Sequence, residues 1–211
     1  MSQAPKQMAP SEFHRQLRSL FAFLRILVRD SAIGRESVDD YAAHLEGRIG
    51  ALARIQEMLM RAPKEGVDLE EILCSELLAQ AVPDNRYQTH GLDIRIGAES
   101  ATAIAMTFHE LVTNAMTYGA FNSEHGHAKI RWDIERQDDG EWLKLEWTER
   151  GVALNGSRTG YQGFGRELIE RMLPYELNAR TRFQLSDDGV DIQLLVPATA
   201  EALTWSRGPE E

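Results

Sequence analysis

Residues 104–118 read Ile-Ala-Met-Thr-Phe-His-Glu-Leu-Val-Thr-Asn-Ala-Met-Thr-Tyr. Ile104, Phe108, Leu111, Ala115 and Tyr118 recur at spacings of three and four, the mark of one face of a helix. The spacing predicts a long helix over residues 100–118. Thr107, Glu110, Asn114 and Thr117 fall on a different face. A carboxylate and a carboxamide one turn apart project to one region. An asparagine oxygen is a hard, neutral donor, suited to a Mg²⁺ ion that already carries phosphate charge. A carboxylate beside it can orient an attacking nitrogen or a water. On spacing alone, a solvated polar helix face is the plainer reading of these residues.

Working outward, residues 69–81 read as a second helix, cut off at Pro83. Residues 92–96, 129–135 and 142–149 alternate apolar and polar residues as strands, the last two joined at Asp138-Asp139-Gly140. Trp147-Thr148-Glu149-Arg150-Gly151 ends that strand. An exposed carboxylate beside a glycine bend could accept from an adenine amino group; a charged strand end is the plainer reading. Gly160-Tyr161-Gln162-Gly163-Phe164-Gly165 then precedes a helix starting near Arg166. Glycines admit a ligand close to the backbone, and a helix N-terminus offers free N–H groups to phosphate. Taken alone, most such glycine clusters are only turns. Two closing strands surround Asp187-Asp188-Gly189, and residues 199–211 read as a polar tail. Layers of helix and strand make this half of the chain α+β.

Upstream, Phe13, Leu17, Leu20, Leu24 and Leu27 form a helical stripe ended by Gly34. Ser37 with Asp40 resembles a capping box. Tyr41, Leu45, Ile49, Leu52, Ile55 and Leu59 form a second stripe, closed by Pro63 and Gly66. Two helices joined by a short turn read as an antiparallel hairpin. Phe21, Phe23 and Ile26 widen the first stripe beyond what one partner helix covers. Two hairpins paired as a four-helix bundle would cover it, so a homodimer through residues 10–63 is expected. His14 sits near the polar border of the first helix, where a histidine is ordinarily a surface residue.

Composition narrows the class. The chain has 211 residues, 43% hydrophobic and 27% charged, with a formal net charge of −10. That balance suits a soluble globular protein, and the length suits one domain plus a smaller one, or a single large domain. Net negative charge disfavours nucleic acid as a partner. One cysteine, Cys74, excludes an internal disulfide and a cysteine metal cluster. Neither a signal peptide nor a membrane span is legible, so a cytoplasmic location is expected, with any outside signal relayed by another molecule such as a separate sensor protein.

Taken in order, these motifs resemble the HWE family of sensor histidine kinases. His109-Glu110-Leu111-Val112-Thr113-Asn114-Ala115 resembles the family's asparagine box, and His109 matches the histidine of its name. Trp147-Thr148-Glu149 resembles its Trp-x-Glu signature. Gly163-Phe164-Gly165 with Leu168-Ile169-Glu170 resembles its second glycine box, and Glu12-Phe13-His14-Arg15 its phosphoacceptor box. The resemblance covers roughly residues 11–197. It implies a dimerisation and phosphotransfer hairpin over 10–63 and an ATP-binding α/β sandwich over 68–198. His14 would take the γ-phosphoryl group of ATP and pass it to an aspartate of a response regulator, with Glu110 assisting. Asn114 would bind Mg²⁺. His109, Trp147, Glu149, Gly151, Gly163 and Gly165 would belong to the nucleotide site, Glu149 standing where an aspartate usually reads adenine.

The chain departs from the family pattern at three places. Gln16, Leu17 and Arg18 replace the usual residues after the phosphoacceptor pair. Thr117 replaces a lysine, and Val152 follows Gly151 where a second glycine is usual. These departures motivate an alternative: a histidine phosphotransferase or regulatory pseudo-kinase that binds response regulators or a partner kinase. A serine kinase of the anti-sigma type, on the same ATP-binding fold, would have little use for the hairpin.

Overall fold

The computed structural model describes residues 21, 24, 25, 27–29, 37–62, 65–152, 177–199 and 203–205. The chain divides into two compact units, residues 1–49 and 50–211.

In the first unit the backbone is helical at 21, 24–25 and 27–29. Helix α1, Val38–Arg61, starts at the expected cap. The Asp40 N–H donates to Ser37 Oγ at 3.0 Å, and Ser37 Oγ donates to the Asp40 carboxylate at 2.8 Å. The Tyr41 hydroxyl reaches back to the Val28 carbonyl at 3.2 Å. The division between the units falls inside α1, between Ile49 and Gly50. The physical reason is that the last turns of α1 bond to helices downstream, Arg54 to Glu76 and Gln56 to Thr102.

The second unit is α+β. Strand β1 (Val67–Asp68) leads into α2 (Leu69–Ala79), whose N-cap Asp68 accepts the Glu71 N–H at 2.9 Å. Strands β2 (Tyr87–Gly91) and β3 (Ile94–Ile96) precede α3 (Ala98–Thr117). Then come β4 (His127–Gln137), β5 (Gly140–Arg150), β6 (Arg180–Leu185), β7 (Gly189–Pro197) and β8 (Leu203–Trp205). One sheet has the order β1-β3-β8; the other is mixed, in the order β2-β4-β5-β7-β6. Among the described strands only β2 and β4 run parallel in it. Ala128, Ile130 and Trp132 of β4 oppose Glu149, Trp147 and Leu145 of β5, which oppose Val190, Ile192 and Leu194 of β7. All of these are buried, so one face of the sheet forms the core. The alternate residues, among them Lys144, Glu146 and Gln193, make the polar face.

Two elements differ from the sequence reading. Tyr-Gln-Thr-His-Gly carries no apolar alternation, yet it is β2. It is the edge strand of the sheet, held by parallel main-chain pairing with β4 along its whole length, which leaves no side-chain pattern in the sequence. Gly91 is required there, because the Trp132 indole lies 2.2 Å from where a Cβ would sit. The expected polar tail contains β8, paired to β3 with Leu203 opposite Ile96. Three residues are too few for a periodic signal, but Leu203 is fully enclosed. Among the described residues no helix is long and apolar enough to cross a membrane.

Candidate functional site

Helix α3 runs close to its expected bounds. Ile104, Phe108, Leu111 and Ala115 are buried as expected, while Tyr118 is the exposed C-cap. The polar face is not simply solvated. Thr107 and Glu110 are also buried, Asn114 is half-buried and Thr117 is exposed. The threonine hydroxyls turn back on the helix: Thr107 donates to the Ala103 carbonyl, Thr113 to His109 and Thr117 to Thr113, each at 2.8 Å. Such back-bonding satisfies a hydroxyl locally. Glu110 and Asn114 lie one turn apart on the same helix, Glu110 buried and Asn114 half-buried.

The loop after α3 is held from two sides. Arg86, in the short 3₁₀ turn before β2, donates to the carbonyls of Gly126 at 2.9 Å and Ala120 at 2.8 Å, and also to Ser123. From β5, Glu149 accepts the Ala120 N–H at 2.6 Å and the Trp147 indole N–H at 2.8 Å. The Phe121 ring meets Trp147 edge-on, with centroids 6.3 Å apart. Ser123 Oγ donates to the Gly151 carbonyl at 2.6 Å. Gly151 has φ +74° and lies so near His125 that a Cβ would stand 2.7 Å from its carbonyl oxygen, so only glycine fits. Glu149, read from sequence as exposed, is 1% exposed. Alternation places it on the inner face of β5 with Trp147, and the family's Trp-x-Glu spacing is here a hydrogen-bonded pair.

His109 is bonded to a different element, α2. Its Nδ1 lies 3.1 Å from Glu76 Oε2, and the ring is 3% exposed. Arg54 of α1 forks onto the same carboxylate, Nε to Oε1 at 3.1 Å and an Nη to Oε2 at 2.5 Å. Burial alone would push the Glu76 carboxyl up. Hydrogen bonds from His109 and Arg54 outweigh it and hold the group below its usual value.

Among the described residues, no three His, Cys, Asp or Glu side chains gather as a metal cluster. The donor chemistry instead fits an ion bound through a neutral carboxamide, with phosphate and water completing its shell, as Mg²⁺ prefers. Asn114 would hold it. His14, Gly163 and Gly165 lie outside the described residues. The structure thus brings Trp147, Glu149 and Gly151 together around the loop that follows α3, while His109 is bonded to Glu76 of α2.

Sequence reading missed Arg54, Glu76 and Arg86. Glu76 had a signal: it sits in register with Leu69, Ile72, Leu73 and Leu77 on the buried stripe of α2. A carboxylate in an apolar register needs a partner. Arg86 has none, because its partners are backbone carbonyls that no side-chain pattern marks.

Comparison with known proteins follows the same lines. Residues 12–93 match the HWE histidine kinase family model. A blue-light-activated histidine kinase of Brucella anthropi is 27% identical over 204 residues, covering 95% of this chain and 41% of the relative. Its counterpart in Brucella ovis is 26% identical over 205 residues, with the same coverage. The chain thus spans about two fifths of the length of these relatives. A solved blue-light-activated histidine kinase of Erythrobacter litoralis superposes with a TM-score of 0.62 at 17% identity, over 93% of this chain and 62% of the other. The histidine kinase domain of that protein gives 0.56 at 16% identity, over 88% and 87%. At such identities the likeness is one of fold alone, a helical segment followed by a mixed sheet.

Proposed function

From a chain that carries an HWE histidine kinase domain and is homologous to blue-light-activated histidine kinases, we propose a protein-histidine kinase of a two-component system. It autophosphorylates His14 with ATP and passes the phosphoryl group to a response-regulator aspartate. One observation carries the reading. Glu110 and Asn114 stand one turn apart on α3, and the loop that ends α3 is fastened to Trp147 and Glu149 at the end of β5.

A neutral imidazole nitrogen of His14 attacks the γ-phosphorus. The N–P bond forms, the bridging P–O bond breaks, and ADP leaves with the electron pair. Glu110 orients the imidazole and receives its proton. The Asn114 carboxamide holds Mg²⁺, which neutralises phosphate charge when bound. In so loose a transition state, most of the catalysis is positioning and charge neutralisation. Gly151, Gly163 and Gly165 let the backbone approach the nucleotide. Pairing of two chains through residues 10–63 and docking of a receiver domain complete the proposal.

Incubation with radiolabelled ATP and Mg²⁺ tests it. The expected product is an acid-labile, base-stable phosphate, absent in His14→Ala and strongly reduced in Asn114→Ala. Label surviving in His14→Ala removes that residue as nucleophile. A wild-type chain that takes up no label overturns the reading.

Thr117 favours the alternative. It stands where the family carries a lysine, and its hydroxyl is bonded to the Thr113 carbonyl, so it offers no cation to phosphate. A phosphotransferase or regulator would acquire phosphate from a phosphorylated receiver domain and none from ATP, which the same incubation separates.

A further inference from the structure

We propose that Arg54, Glu76 and His109 are positioning residues that fix α3, and with it Glu110 and Asn114, against α1 through one buried carboxylate. The consequence for catalysis rests on the kinase reading above; the mechanical claim does not.

Three helices meet at Glu76. Arg54 comes from α1, Glu76 from α2 and His109 from α3, with both Glu76 oxygens engaged. Glu76 is 1% exposed and His109 3%. Burying a charged carboxylate is expensive, and well-packed apolar side chains would join three helices at least as firmly. What the ionic group adds is geometry. A guanidinium fork on a carboxylate accepts one planar approach, whereas apolar contacts tolerate sliding. A shift of α1 along its axis cannot be absorbed at Arg54 without moving the Glu76 carboxylate, and His109 is bonded to the same oxygen as the Arg54 Nη.

His109 immediately precedes Glu110 and lies five residues before Asn114. A helix is stiff over that distance, so a displacement at His109 is carried to both. Misplacement of a reacting group by about 1 Å can cost on the order of a hundredfold in rate. On this reading His109 does not touch nucleotide. It sets where the residues that do so stand, and it makes α3 sensitive to the position of α1.

The test uses the full chain and four variants: Arg54→Ala, Arg54→Lys, His109→Ala and His109→Asn. Amide exchange is followed over residues 107–117 without nucleotide. ATP affinity with Mg²⁺ and the labelling rate at saturating ATP are measured separately. Arg54→Ala and His109→Ala should each raise exchange in 110–117 by about tenfold or more. They should lower the saturated labelling rate by about tenfold or more, while ATP affinity stays within about threefold. His109→Asn, whose carboxamide can still donate to Glu76, should recover most of both. Arg54→Lys, which keeps the charge without the fork, should recover less.

Unchanged exchange at 110–117 in Arg54→Ala overturns the proposal. So does a loss of ATP affinity in His109→Ala that Arg54→Ala does not share, because His109 would then be a nucleotide ligand. A lower melting temperature with wild-type rates also overturns it, leaving a merely structural triad. Arg54 is partly exposed, so its removal opens no sealed cavity, and Arg54→Ala decides the matter if His109→Ala does not fold. If the wild-type chain neither binds ATP nor is labelled, the kinase reading falls while the exchange data still judge the positioning claim.

Discussion

The indole N–H of Trp147 donates to the carboxylate of Glu149 at 2.8 Å, two residues along the inner face of β5. The other Glu149 oxygen takes the Ala120 N–H at 2.6 Å, in the turn that follows α3. Two donors thus converge on one enclosed acceptor group. Glu149→Gln keeps the shape but replaces one acceptor by a donor, so one of the two N–H groups meets an NH₂. A buried polar group left without its partner costs about 1–3 kcal/mol. We expect a loss of unfolding free energy of that size, seen as a lower denaturation midpoint, and faster exchange of the Ala120 amide. A midpoint equal to wild type contradicts the arrangement.

Glu76 makes stability depend on pH with a definite sign. Its folded-state pKa lies below the ordinary value of 4.5, because His109 and Arg54 favour the carboxylate more than burial disfavours it. A lowered carboxyl pKa contributes stability that is present above the unfolded value and lost as pH falls through the folded one. Removing one partner of a buried pair typically costs about 3–5 kcal/mol. Glu76→Gln should therefore be less stable than wild type near neutrality, and the gap should narrow as pH falls below 4.5. Urea unfolding of both proteins across that range checks it. A gap constant with pH would mean that the carboxylate charge contributes nothing.

Much of this was legible in the sequence, and the parts that were not have physical reasons. The α3 stripe, the Ser37 cap and the long β4–β5 hairpin all rest on periodicity or local turn chemistry, which a single chain displays. Edge strand β2 and the short β8 are held by pairing with distant strands, and no local pattern encodes that. The residue types of the candidate site could be picked out, because Glu110, Asn114, Trp147 and Glu149 fall in recognisable order. Their surroundings could not. The inward turn of Glu149 and the attachment of His109 to Glu76 depend on which sheet face and which helix stripe are covered, and that is settled only by tertiary packing.

Arg86 offers a separate check on the loop after α3. Its guanidinium donates to three carbonyls of the loop, those of Ala120, Ser123 and Gly126. A charged donor to a partly buried carbonyl contributes more than a neutral one, so Arg86→Ala should cost about 2 kcal/mol. Lysine presents a point charge without a fork and should restore only part of it. The loss should be local. The amides of Asn122, Ser123 and Gly126, which donate within the loop, should exchange faster, while those in the middle of α3 should not. Uniform acceleration through α3 would show that Arg86 supports the whole unit instead.

The last strand makes the sharpest test of the fold, because the sequence reading assigned it to a tail. Leu203 lies opposite Ile96 in the β3–β8 ladder, and its N–H also donates to the Thr199 carbonyl at 2.9 Å. Leu203 is 2% exposed, and Ile94 and Ile96 beside it are fully buried. Truncating an enclosed leucine to alanine removes transfer free energy and leaves a cavity, typically about 2–5 kcal/mol. Thr204, its neighbour, is exposed and should tolerate alanine within about 0.5 kcal/mol. A true tail would give two silent substitutions. A strand gives one large effect and one small, and that alternation along two adjacent residues, read by denaturant unfolding, distinguishes the two.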